Sequence, residues 1–425
     1  MKTLRKIFLI GLSALIVLSL AACSAKGGYS WGPRPSYTPD ESAGGGDYEG
    51  DGDYEGGNTQ SPIRKQLTAG EWRDSDDYDF WLSLFVGSEQ DGETYDNSSR
   101  GVFSGYLSSP RGLDTQSMHA VRVTSDAKPV GGAKVKLYSG GEVIFEAVSD
   151  NEGKAFVFGE EADEVEVSSG KYSVRQAIAE DGVTEVALED YTKTANVVDI
   201  VIVVDTTGSM GDEIGFLKKE IDGIVRRLRS LLDADINIGL VFYRDDCDKR
   251  SSYLLRSFPL TNVNGDSGLN KVRKNISAQS AGGGGDYPER PDLALETAVN
   301  MQFTEGSTRL IYHFLDAPCH DNQKCMGLFS SSVRSAASKG VRIIPVAASG
   351  LDELGQYMMR SAALLTGGTY TFLTDDSGIG DHHELPVVGQ FVVEYLSDLI
   401  VRLTSDYHNG TRTEPVSWEE SSSVE

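Results

Sequence analysis

From residue 196 onward, apolar runs alternate with amphipathic stretches. Val197 to Val204 is apolar except at Asp199, the pattern of a strand covered on both faces. Ile214, Leu217, Ile221, Ile224, Val225 and Leu228 then recur at helical spacing. Ile236 to Tyr243 reads as a second strand and Tyr253 to Phe258 as a third. Leu293 to Met301 reads as a helix, and Leu310 to Leu315 and Val341 to Ala347 as further strands. Leu351 to Leu365 is a helix, Thr369 to Leu373 a last strand and Val387 to Leu403 a closing helix. Strand–helix alternation predicts an α/β fold for 195–408 with a doubly wound, mostly parallel sheet.

Upstream the period changes to two. Within 118–194, His119 to Val123, Ala133 to Leu137, Val143 to Ala147, Ala155 to Phe158, Val165 to Val167 and Tyr172 to Val174 alternate, some only loosely. Gly131-Gly132, Gly140-Gly141, Asn151-Glu152-Gly153 and Ser169-Gly170 punctuate them. Short strands at this spacing predict a small all-β, antiparallel sandwich. Residues 63–117 lack a clear period. Their aromatics, among them Trp72, Tyr78, Phe80, Trp81 and Phe85, call for burial against a neighbouring domain. Residues 23–62 are acidic, glycine-rich and poor in aliphatics, the composition of a disordered tether, and 409–425 read as a polar tail.

Charge narrows the partners. The 425 residues carry a formal net charge of −25, which opposes nucleic acid and leaves solubility or cation recruitment as its uses. Lys2, Arg5 and Lys6 precede a short apolar run from Ile7 to Leu20, as in a secretory signal. Leu20-Ala21-Ala22-Cys23 resembles the bacterial lipobox. That resemblance implies removal of 1–22, lipidation of Cys23 and an extracytoplasmic protein held to the cell membrane or outer membrane by its lipid alone. Three cysteines remain, Cys247, Cys319 and Cys325. In an oxidising compartment one disulfide is expected, involving Cys319 or Cys325, with local pairing and pairing to Cys247 both open.

The chemistry concentrates where the first buried strand ends. Asp205-Thr206-Thr207-Gly208-Ser209-Met210 offers a carboxylate and two hydroxyls, each two residues apart, at the strand edge where open α/β sheets bind ligands. Oxygen-only ligation with few carboxylates suits Mg²⁺ (or Mn²⁺ or Ca²⁺). The motif resembles the metal-ion-dependent adhesion site of the von Willebrand factor A family, whose first loop reads Asp-x-Ser-x-Ser, with Thr207 here at the middle position. Gly282-Gly283-Gly284-Gly285-Asp286-Tyr287-Pro288-Glu289 stands where that family presents its second-loop ligand, and the resemblance carries the role to Asp286. Asp316, after Ile311 to Leu315, matches the third-loop Asp that reaches the metal through water. Separately, Lys128 to Val135 with Ser149 to Gly153 resembles the transthyretin-like and carboxypeptidase-regulatory-like modules of surface proteins.

No Gly-x-Ser-x-Gly elbow and no His-Glu-x-x-His is present, so no enzyme is expected. The resemblance implies a membrane-anchored protein that engages a protein ligand through the metal, with an acidic side chain of the ligand completing the shell. The alternatives are an envelope assembly or stress scaffold in which the metal is structural, and a metal-assisted hydrolase using His320 or Glu289 as base. His382 and His383 read as a solvated loop, with a second metal site there as the alternative.

Overall fold

A computed structural model describes residues 66–86, 101–106, 113–179, 182–250, 252–378, 382–383 and 385–423. Cys23, its lipobox and the whole of the 23–62 tether lie outside the described residues. The chain opens with β1 (Thr68–Trp72) and α1 (Tyr78–Ser83). Eight short strands follow: β2 (Met118–Ser125), β3 (Lys128–Pro129), β4 (Lys134–Ser139), β5 (Glu142–Val148), β6 (Lys154–Phe158), β7 (Glu164–Ser169), β8 (Tyr172–Ala177) and β9 (Val183–Ala187). Strands and helices then alternate through β10 (Val197–Asp205), α2 (Gly211–Leu231), β11 (Asp235–Tyr243), β12 (Leu255–Asn262), α3 (Asp266–Ser277), α4 (Pro291–Val299), β13 (Thr308–Leu315) and α5 (Gln323–Ser338). The last elements are β14 (Val341–Ala347), α6 (Glu353–Thr366), β15 (Tyr370–Thr374), β16 (Glu394–Tyr395), α7 (Leu396–Asn409) and α8 (Trp418–Ser423).

The expected doubly wound, mostly parallel sheet is corrected. The large sheet is mixed, eight strands in the order β12-β11-β10-β13-β14-β15-β1-β16. Only its core, β11 through β15 across β10, β13 and β14, is parallel. β12 runs antiparallel to β11, and β1 runs antiparallel to both β15 and β16. The reason lies in edge strands, whose unpaired backbone groups must be satisfied or covered. β1, from the segment expected only to dock, satisfies β15. Periodicity does not reveal it: Gly70 lies in its middle because a Cβ there would stand 2.6 Å from the Phe391 ring and 2.7 Å from that of Phe372.

The small domain needs a correction too. Its sheets are β5-β4-β7-β8, antiparallel throughout, and β3-β2-β6 with β9 added to β2 in parallel. It shares a core with the large sheet. Val121, Val135, Phe145 and Val165 belong to the same buried cluster as Phe329, Val333, Met358 and Ala362 of α5 and α6. Asn151 Nδ2 donates to the carbonyls of Tyr407 (3.0 Å) and His408 (2.8 Å), and Arg342 Nη2 to that of Val148 (2.6 Å). Asn151 also reaches Thr308, the first residue of β13, so this module is anchored at the opposite end of that strand from Asp316.

Two apolar layers sandwich the large sheet. Ile214, Leu217, Ile221 and Leu228 of α2 pack with Leu269 and Val272 of α3 and Leu399 and Leu403 of α7 on one face, while α4, α5 and α6 cover the other. Asp199, the lone polar residue of β10, is wholly buried and accepts from Asn237 Nδ2, the Thr304 amide and the Ser307 hydroxyl. The tail is not loose. Trp418 packs edge-on against Tyr395, and Asp406 accepts from the hydroxyls of Thr411 and Thr413.

The N-terminal segment is held by a buried ion pair. Arg360 of α6, fully buried, donates from Nε to Asp74 Oδ2 (3.0 Å) and from Nη2 to Oδ1, with Trp81 5.2 Å from its guanidinium. Removing one partner of such a pair leaves the other charged and dry. Asp74→Ala is therefore expected to cost about 3–5 kcal/mol in urea denaturation. Asp76→Ala, which breaks a half-exposed pair with Arg412, should cost about 1 kcal/mol or less. Equal losses from the two would contradict this account of how the segment is anchored.

Candidate metal centre

β10, β11 and β13 are adjacent and parallel, so their C-terminal ends meet at one edge. Asp205 closes β10 opposite Tyr243 of β11, and Asp316 follows β13 directly. Asp205 is fully buried. Its Oδ1 accepts from the Thr207 amide and the Thr207 hydroxyl, each at 2.8 Å. Asp316, also buried, has the Ser209 hydroxyl beside it, which favours its charged form against the larger effect of burial. The Thr207 hydroxyl thus gives its proton to a carboxylate and keeps its lone pairs for another partner. That is the state in which an oxygen can ligate a hard cation.

The second loop is drawn tight against the first. The Gly282 amide donates to the Thr206 carbonyl (3.2 Å), and the Gly284 amide to Asp248 Oδ2 (2.9 Å). A Cβ on Gly284 would lie 3.3 Å from that of Thr207 and 3.1 Å from Glu289 Oε1, so bulk here would push the loop away. Arg290 holds the far side of the loop, gripping Asp292 with a two-pronged bond at 2.9 Å and Asp246 at 2.7 Å. Tyr253, with Arg244 and Arg256 over its ring at 4.8 and 3.8 Å, braces the Thr206 hydroxyl.

The structure divides the expected residues. Asp205, Thr207, Ser209 and Asp316 come together. Asp286 is exposed and grouped with Asp245 and Cys247. Glu289, only 4 % exposed, is the second-loop carboxyl coupled to Asp205 and Asp316. Its amide donates to the Pro318 carbonyl (2.9 Å) in a bridge to Cys319, which turns it inward beside the third loop. Nothing periodic marks such a position in sequence.

Burial and mutual repulsion shape the charges. Burial, then Asp316, pushes the Asp205 carboxyl up to about 7. Burial, then Asp205, Asp245, Asp316 and Asp248, pushes Glu289 up to about 9. Asp316 is also raised by burial. Asp205 Oδ2 and Glu289 Oε2 are buried without hydrogen-bond partners. The Tyr243 hydroxyl stands beside Asp205 without meeting hydrogen-bond geometry and is itself pushed well up by burial and by that carboxyl. Unpartnered, converging acids are costly to bury without a counter-charge, so the donor set fits a divalent cation. Cys247, Cys319 and Cys325 are all free. Cys319 turns to the Met326 sulfur (3.3 Å) and Cys325 sits in the first turn of α5 on Asn322, so neither faces the other. His382 and His383 both bond Asp375.

No family model matches the chain. It is 27 % identical over 196 residues to alpha-protein kinase vwkA of Dictyostelium discoideum, covering 44 % of this chain and 30 % of that protein. It is 30 % identical over 141 residues to the putative ariadne-like RING finger protein R811 of Acanthamoeba polyphaga mimivirus, covering 33 % of this chain and 13 % of that protein. Among solved structures, the pilus adhesin SpaC of Lactobacillus rhamnosus GG aligns at a TM-score of 0.32 and 13 % identity, over 58 % of this chain and 32 % of that one. The chain spans less than a third of the length of each.

The raised carboxyls fix the sign of a pH effect. A carboxyl whose folded pKa lies above its unfolded value stabilises the fold fully at low pH, and that contribution is lost as pH rises through the folded value. For Asp205 and Glu289 the loss runs from about pH 4 to about 7 and about 9. A bound cation replaces the lost protons. A chelator is therefore expected to lower the melting temperature strongly at pH 8 and weakly at pH 5, with Glu289→Gln narrowing the gap. A chelator effect that is equal at both pH values, or larger at pH 5, would contradict the charge assignment.

Proposed function

We propose that this protein is an extracytoplasmic, lipid-anchored binding protein that engages a protein ligand through Mg²⁺ (or Mn²⁺ or Ca²⁺) at the β10 edge. The observation that carries the reading is the convergence of the buried Asp205, Glu289 and Asp316 on Thr207 and Ser209, with Asp205 Oδ2 and Glu289 Oε2 left without hydrogen-bond partners. Thr207 and Ser209 supply neutral oxygens, Asp205 and Asp316 orient them, and Glu289 supplies the second-loop carboxylate. A bound cation presents a positive point at an otherwise acidic surface. An acidic side chain of a partner is the group that such a point attracts, and it would complete the shell. Likeness of the first loop to the adhesion-site loop of the von Willebrand factor A family supports the same reading. Anchoring through Cys23 would keep the site outside the cytoplasm, and no catalytic role is proposed.

Calorimetry tests the metal step. Wild type should give a saturable Mg²⁺ heat and Asp205→Ala none, with the circular dichroism of the two unchanged. With Mg²⁺ at about a hundred times its Kd, wild type should gain about 2.7 kcal/mol of stability. Capture of an envelope protein should then require Mg²⁺ and fail with Asp205→Ala. Equal Mg²⁺ affinity in both proteins contradicts the site; metal binding with metal-independent capture contradicts its use in ligand binding.

A further inference from the structure

Tyr243 ends β11 directly beside Asp205, its neighbour in the parallel register with β10. Both side chains are wholly buried. The backbone of Tyr243 already grips the first loop: its carbonyl accepts from the Thr206 amide (2.9 Å) and from the Thr206 hydroxyl (2.8 Å). The wholly buried His313 ring packs edge-on against the phenol ring, with 5.7 Å between centroids. Yet the hydroxyl at the end of that ring has no hydrogen-bond partner. On Asp205 the bonds are divided unevenly. Oδ1 takes both the amide and the hydroxyl of Thr207, while Oδ2, buried as well, takes none. A donor without an acceptor thus stands beside an acceptor without a donor, and each is costly to bury in that state.

We propose that Tyr243 is a positioning residue of the cation site, its hydroxyl being the donor that Asp205 Oδ2 takes when the ion is bound. This inference rests on the metal reading above. Binding a cation calls for Asp205 in its charged form, and a charged carboxylate with one bare, buried oxygen needs a donor there. A phenol suits that place better than a cationic side chain, because it satisfies the oxygen without setting a second positive charge against the ion. Burial and the neighbouring carboxyl hold its proton firmly, so it remains a donor. With Oδ2 held, Oδ1 keeps both bonds to Thr207, whose hydroxyl keeps its lone pairs for the ion. The Tyr243 hydroxyl makes no hydrogen bond of its own in the fold, so its value lies in the ion-loaded site.

Tyr243→Phe keeps the ring and removes only the hydroxyl. Wild type and variant, each as the whole chain, are compared by Mg²⁺ calorimetry, by melting in chelator and by tyrosine ultraviolet difference spectra on Mg²⁺ addition. In chelator the variant should melt at or above the wild-type temperature, since it buries no bare hydroxyl. It should bind Mg²⁺ about tenfold more weakly, the loss of one hydrogen bond to a charged group. Mg²⁺ should give wild type a tyrosine difference band that is diminished in the variant. Equal Mg²⁺ affinity or an equal band in the two proteins would overturn the proposal. So would a variant that melts lower in chelator or fails to fold, because the hydroxyl would then serve the fold and not the ion. A wild type that takes up no Mg²⁺ overturns the metal reading itself, and this inference with it.

Discussion

Everything at the functional edge depends on one electrostatic constraint: several carboxyls are held close together where water cannot screen them. Asp205 is wholly buried, Glu289 and Asp316 nearly so; Asp316 raises the proton affinity of Asp205, and both raise that of Glu289. In a low-dielectric site such repulsion is far stronger than at the surface. The scaffold bears it because three parallel strands end together and the glycine loop is pinned from both sides, by Asp248 at Gly284 and by Arg290 beyond Glu289. Protons offset that charge below the raised carboxyl values, and the proposed divalent ion would do so above them.

The rest of the fold keeps that edge rigid. The small β domain shares its core with α5 and α6 and is tied to the start of β13, far from Asp316. The N-terminal segment contributes a strand to the same sheet and is locked by Asp74 and Arg360. Trp418 and Asp406 fasten the C-terminal stretch. The β module, the N-terminal segment and the C-terminal stretch are therefore parts of one packed body.

Much of the central sheet was legible because its signals are local and strong. The run from Val197 to Val204 and the Asp-x-Thr-x-Ser motif that follows it mark a strand and its ligand-bearing end without reference to anything distant. The antiparallel strands were not legible. β1 is short and carries Gly70 at its centre, a residue chosen by the rings of Phe372 and Phe391 some three hundred residues away. β9 joins β2 in parallel, a pairing that alternation cannot distinguish from the antiparallel one. At the site, the family resemblance carried the second-loop role to Asp286, the acid that follows the glycines. Inward orientation of Glu289 comes instead from a bridge to Cys319, on a different loop.

The most direct measurement is a crystal structure with Mn²⁺ in place of Mg²⁺, using its anomalous scattering to locate the ion. The account predicts a peak at the end of β10, within coordination distance of both the Thr207 and Ser209 hydroxyls, with Glu289 and Asp316 around it. A peak that lacks those two hydroxyls, or no ion at that edge at saturating Mn²⁺, would contradict it.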